Sequence, residues 1–89
     1  MSNMDLDAFF QDRLQRYGLS LREQEVACLW MLDRTYKEIS GALGISELTS
    51  RTIIKNIHLK MGVNSKASLI LKVIQEGLLH DFQKTFYSS

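Results

Sequence analysis

With 89 residues, 45% of them hydrophobic and 24% charged, the chain has the make-up of one small folded domain around one core rather than of a disordered segment. The absence of proline and the presence of only five glycines argue against a β-rich fold, which needs more turn formers, and favour helices joined by short loops. A single cysteine excludes an internal disulfide and fits a cytoplasmic address, while a formal net charge of +1, taken alone, argues against nucleic acid.

The N-terminus carries Asp5, Asp7 and Asp12 among its apolar residues, which is unlike a secretory signal. Leu6, Phe9, Phe10, Leu14 and Tyr17 recur at spacings of three and four and predict a first amphipathic helix over residues 4–17, stopped by Gly18. Ser20 followed by Glu23 is a capping-box pattern and announces a second helix. Val26, Leu29 and Trp30 are its expected inward stripe, and Cys28 reads as a small apolar residue. A short third helix is expected from Tyr36 to Leu43, with Ile39, Ala42 and Leu43 inward, ending at Gly44 in a left-handed conformation. Ser46 can cap a fourth helix over residues 47–61, which Gly62 would end. Ser65 can cap a fifth, carrying Leu69, Ile70, Val73 and Ile74 inward and ending near Gly77. Apolar stretches such as that around Leu69–Leu71 fall far short of the roughly 20 residues of a membrane span. Residues 78–89, with Leu78, Leu79, Phe82 and Phe86, form a tail or an extension of the last helix.

Charge is unevenly distributed. Residues 1–18 and 19–35 each carry a net −1. Residues 36–68 hold Lys37, Arg51, Lys55, Lys60 and Lys66 against Glu38 and Glu47, a net +3. Such a concentration is what a phosphate-binding footprint looks like.

A short helix, a glycine turn and a longer capped helix form the pattern by which helix-turn-helix proteins place their second helix in the major groove of DNA. At about 100° per residue, Ser50, Ile54, Ile57 and Met61 share one side of the fourth helix. Arg51, Thr52, Lys55 and Asn56 lie on the other, with Leu48 and Leu59 interspersed. Arg can bind guanine with two hydrogen bonds, Asn can pair with adenine, Thr offers a hydroxyl and a methyl, and Lys serves bases or phosphates. These four residues are the candidate base contacts.

Four blocks extend the pattern through residues 19–68. They are Leu19-Ser20-Leu21-Arg22-Glu23-Gln24-Glu25-Val26, Lys37-Glu38-Ile39-Ser40, Ile45-Ser46-Glu47 with Thr49, and Asn56-Ile57 with Lys60-Met61-Gly62-Val63. In order and spacing they resemble the LuxR/GerE-type output domain of bacterial transcription regulators. The resemblance implies an all-α, four-helix domain over residues 19–77, here preceded by an additional N-terminal helix in residues 1–18. It implies base contacts at Arg51, Thr52 and Lys55, and phosphate contacts at Lys37, Thr49 and Lys60. It also implies a homodimer on double-stranded DNA through the last helix, with Leu69, Lys72, Val73 and Glu76 as interface candidates. The chain departs from the family pattern at Ser50 and His58, where apolar residues are usual, at Ile53, where His is common, at Asp33, where Gly is common, and at Leu21, where Pro is common. Ser50 is expected either to leave a small void or to bond back to a carbonyl one turn earlier, and His58 to be a half-buried packing or capping residue.

No metal-ligand spacing, nucleophile–base pair or glycine-rich phosphate loop is present, so no enzyme, cofactor or metal site is expected. Region 4 of a sigma factor is a competitor within DNA binding, although 89 residues leave little room for its polymerase-binding region. From another class, the alternative is a protein-interaction module that kept the fold without DNA binding; Leu48, Ile53 and Leu59 favour it, and Arg51, Lys55 and Lys60 oppose it. The N-terminal helix is expected to pack on the core, or else to contact a protein partner. Read as a whole protein, the chain has no receiver or ligand-binding domain ahead of the helix-turn-helix. Control would then come from expression, dimerisation or a partner.

Overall fold

A computed structural model describes the backbone of residues 3–87 and the side chains of residues 6–79. Its elements are α1 (Asn3–Leu14), continued by a 3-10 turn (Gln15–Tyr17), α2 (Leu21–Met31), α3 (Tyr36–Leu43), α4 (Glu47–Met61) and α5 (Lys66–Tyr87). The described residues contain no strand, and the architecture is all-α as expected. None of these helices is long and apolar enough to cross a membrane.

Local chemistry sets most boundaries. Ser20 Oγ accepts from the Glu23 amide at 3.1 Å while Glu23 Oε1 accepts from the Ser20 amide at 2.8 Å, so the capping box forms as read. Thr35 and Glu38 make a second one at the start of α3. Ser46 accepts from the Thr49 amide at 3.0 Å and starts α4. Gly44, in the turn between α3 and α4, and Gly62, at the end of α4, adopt φ of 68° and 67°, where a Cβ would be strained. Asp33 has φ 66° in the α2–α3 turn, which explains why Gly is common there. Asp tolerates this conformation better than most residues.

Phe10, Leu14, Leu19, Val26, Ala27, Cys28, Met31, Ile39, Ile54, Ile57, Met61, Leu69 and Val73 make up the buried core. The first helix joins it: Phe10 and Leu14 are 3% and 0% exposed, and each contributes about 1.5–3 kcal/mol by leaving water. Cys28 Sγ donates to Asp7 Oδ1, linking α2 to α1. Burial first, then the Asp7 hydrogen bond, pushes this thiol up to about 12. Tyr17 donates to Glu76 Oε2 at 2.5 Å, linking the 3-10 turn to α5, and burial followed by that bond raises the phenol to about 12.

The packing corrects several expectations. In α2 the fully buried residues are Val26, Ala27, Cys28 and Met31, while Leu29 and Trp30 are only half-buried, because the stripe faces two partners, α1 and α4. In α3 it is Ser40, not Ala42, that turns inward. Ser50 does not bond to its own helix. Its hydroxyl lies 2.8 Å from that of Ser40, and Ser40 donates to the Tyr36 carbonyl at 2.7 Å. With the single Ser40 hydrogen committed there, Ser50 is the donor between the two. The last helix does not end near Gly77 but runs to Tyr87. Gly77 is buried because Arg13 crosses it: a Cβ there would sit 2.6 Å from Arg13 Nε. The side chains of Phe82 and Phe86 lie outside the described residues.

Candidate nucleic-acid interface

The capped start of α4 and the buried row Ser50, Ile54, Ile57 and Met61 fix the rotation of this helix against the core. The opposite side therefore faces outward. Arg51, Thr52, Lys55 and Asn56 are all exposed there. Arg51 and Lys55 pair with no carboxylate among the described residues, whereas Arg22, Arg34, Lys60, Lys66 and Lys72 do. After Glu47, α4 contains no acid. Thr52 Oγ1 donates to the Leu48 carbonyl at 3.0 Å, which leaves its methyl and an acceptor lone pair outward. Leu48 and Leu59, 73% and 70% exposed, flank this polar set.

The residues assigned to phosphates are less uniform. Lys37 is exposed near the start of α3, again without a carboxylate partner among the described residues. Thr49 accepts a bond from the Ser46 hydroxyl at 2.8 Å and remains exposed. Lys60 is held by Glu23 Oε1 at 2.7 Å. The Lys60 hydrogen bond, and then the Ser20 amide, keep the Glu23 carboxyl below its usual range. A phosphate would have to draw Lys60 away from this partner.

The dimer candidates divide. Leu69 and Val73 are wholly buried in their own domain and have no surface to offer a second chain, which corrects that assignment. Lys72 and Glu76 pair with each other at 3.7 Å. Among the described residues of α5, the large apolar side chains that are exposed are Leu71, Leu78 and Leu79.

Beside α4, one cluster escaped sequence reasoning. The Trp30 and Tyr36 rings stack with centroids 5.1 Å apart and 20° between planes. Lys66 Nζ lies 4.0 Å from the Trp30 ring centre, and the Arg51 guanidinium carbon lies 4.3 Å from that of Tyr36. The Trp30 indole N–H donates to His58 Nε2 at 3.2 Å, and burial lowers the His58 pKa below its ordinary value. With Lys55, these side chains line a groove of about 380 Å³. They come from the ends of α2, α3 and α5 and from α4, so no local spacing announces them.

Residues 18–73, more than half of the chain, match the family described as bacterial regulatory proteins, luxR family. The chain belongs to that family. It is 44% identical over 62 residues to the transcriptional activator protein CarR of Pectobacterium carotovorum subsp. carotovorum, covering 70% of this chain and 25% of that one. To the spore germination protein GerE of Bacillus subtilis (strain 168) it is 39% identical over 61 residues, covering 68% of this chain and 82% of GerE. The transcriptional regulatory protein MctR of Rhizobium johnstonii is 32% identical over 75 residues, 82% of this chain and 35% of that protein. The chain thus spans about a quarter to a third of CarR and MctR but most of GerE. No solved structure was matched. The match places the chain among the luxR-family helix-turn-helix domains of bacterial regulatory proteins.

Proposed function

We propose that the domain acts as a sequence-specific regulator in the cytoplasm, with α4 in the major groove of double-stranded DNA and no catalytic role. The observation that carries this reading is the outward face of α4. Arg51, Lys55 and Asn56 stand exposed on it without an acid after Glu47, on a helix held by caps and core. Arg51, Thr52, Lys55 and Asn56 contact base edges. Lys37, Thr49 and Lys60 contact phosphates, which sets orientation without reading sequence; Lys60 does so by exchanging Glu23 for a phosphate. A homodimer through α5, using Leu71, Leu78 and Leu79 together with the Lys72–Glu76 edge, presents two recognition helices to a pseudo-palindromic site. Two linked domains bind far more tightly than one. Phe10 and Leu14 of α1 are buried in the core and Leu6 and Phe9 pack against it, which favours a structural role for this helix over one in holding a partner.

The test is fluorescence anisotropy of the protein on a labelled mixed-sequence duplex through a salt series. Binding should fall steeply with salt and be lost in the Arg51→Ala/Lys55→Ala double variant. Lys60→Ala should weaken all sequences alike and lower the salt slope by about one. The exposed Leu48 and Leu59 favour a second reading, a protein-interaction module. A folded wild type that binds no duplex at low salt would establish that reading over the first.

A further inference from the structure

Long arginine side chains on a helix surface sample many rotamers, and ordering one on binding lowers affinity and blurs selectivity. Arg51 lies in the first turns of α4, has no carboxylate partner among the described residues, and has its guanidinium over the Tyr36 ring at 4.3 Å. The ring is itself fixed. It stacks on Trp30 at 5.1 Å, and Trp30 is tied by its N–H to His58 at 3.2 Å and carries Lys66 4.0 Å from its ring centre. Lys66 in turn pairs with Asp33 at 2.8 Å. A continuous series of contacts therefore runs from the turn before α3, through two aromatic rings, to the end of Arg51.

We propose that Tyr36, braced by Trp30, is a specificity-determining positioning residue that orders the Arg51 side chain before DNA arrives. This rests on the reading of α4 as the recognition helix. Tyr36 touches no base. It restricts Arg51 to orientations along one flank of α4, so that the guanidinium meets a base edge without first losing its freedom. A surface cation–π contact corresponds to about a two- to fivefold change in an equilibrium, and that is the size of effect expected on discrimination.

The experiment uses a duplex selected by the wild-type protein from a random pool, titrated against a mixed-sequence duplex at one salt concentration. The variants are Tyr36→Phe, Tyr36→Leu, Tyr36→Met, Arg51→Ala and the Tyr36→Leu/Arg51→Ala pair. Two aliphatic replacements are included so that a poorly folded one does not decide the matter. Tyr36→Phe should keep the wild-type ratio of selected to mixed binding. Tyr36→Leu and Tyr36→Met should lower it about two- to fivefold, with mixed-sequence affinity and salt slope unchanged, and Tyr36→Leu should have no further effect once Arg51 is Ala. In the free protein, NMR should show the Arg51 δ-methylene protons shifted upfield by the ring in wild type and Tyr36→Phe but not in the aliphatic variants. An unchanged or increased ratio in the aliphatic variants, or an equal effect in the Arg51→Ala background, would overturn the proposal while leaving DNA recognition standing. Failure of wild type to bind either duplex would instead remove the reading on which it rests.

Discussion

The Ser40–Ser50 hydroxyl pair between α3 and α4 makes a prediction with an unusual asymmetry. Both residues are buried, Ser50 completely. Ser40 donates to the Tyr36 carbonyl, so the hydrogen in the 2.8 Å contact belongs to Ser50. In Ser40→Ala the Ser50 hydroxyl loses its acceptor inside the core, at about 1–3 kcal/mol. Alanine's better helix propensity returns only a few tenths of a kcal/mol. In Ser50→Ala, Ser40 keeps its donor bond, and only a net bond of about 0.5–1.5 kcal/mol is lost. The double variant leaves no stranded hydroxyl and gains propensity twice, so it should lie within about 1 kcal/mol of wild type. It should be more stable than Ser40→Ala alone. Urea unfolding followed by far-UV circular dichroism measures all four corners, and each 1 kcal/mol should move the melting temperature by about 4–8 °C in a domain of this size. Additive losses, or a Ser50→Ala variant as unstable as Ser40→Ala, would refute the assignment of donor and acceptor.

Three further outcomes are expected. Gly41→Ala, on the exposed side of α3 with nothing within 4 Å of the new Cβ, should stabilise the fold by about 0.5–1 kcal/mol. Gly77→Ala should lower stability by about 1 kcal/mol despite the same helical gain: its Cβ would sit 2.6 Å from Arg13 Nε and dislodge a guanidinium that lies 3.6 Å from the Phe9 ring centre. Opposite shifts in thermal melting would bear out the pair; a Gly77→Ala protein that melts above wild type would contradict it. His58 gives a pH dependence. Burial lowers its folded pKa from the ordinary 6.5, so the unfolded chain takes up the proton first. Stability should therefore fall as pH drops through 6.5 and level off below the folded value. In His58→Gln that segment of the unfolding free energy against pH should be flat, and an unchanged slope would show that another group is responsible.

Features governed by near neighbours in the chain were legible from the sequence. The bounds of α3 and α4, the Ser20–Glu23 box, the Ser46 cap and the turns at Gly44 and Gly62 each depend on residues within a few positions. That Asp33 stands where Gly is common came from the family resemblance and not from its neighbours in the chain. Ser50 was recognised as anomalous, but its partner is ten residues away on another helix, and periodicity carries no such information. Lys60 and Glu23 are 37 apart, so the lysine's own partner could not be read beside its role toward phosphate. Gly77 was misread because a glycine that ends a helix and one that admits a crossing side chain are the same letter. The outward set on α4 follows from the angle between residues alone. The Trp30–Tyr36 stack that abuts it does not, because those residues meet only when the end of α2 and the start of α3 converge.

The crossing of Arg13 over Gly77 bears on where this domain begins. The family resemblance covers residues 18–73, yet Phe10 and Leu14 fill the core and Tyr17 and Asp7 bond to α5 and α2. The unit of shared ancestry and the unit of cooperative unfolding therefore have different edges. A fragment trimmed to the ancestral boundary would keep every residue proposed to touch DNA, yet it would expose the apolar floor on which α1 rests and invite self-association. A transplant of this DNA-binding face onto another protein should carry the first seventeen residues with it.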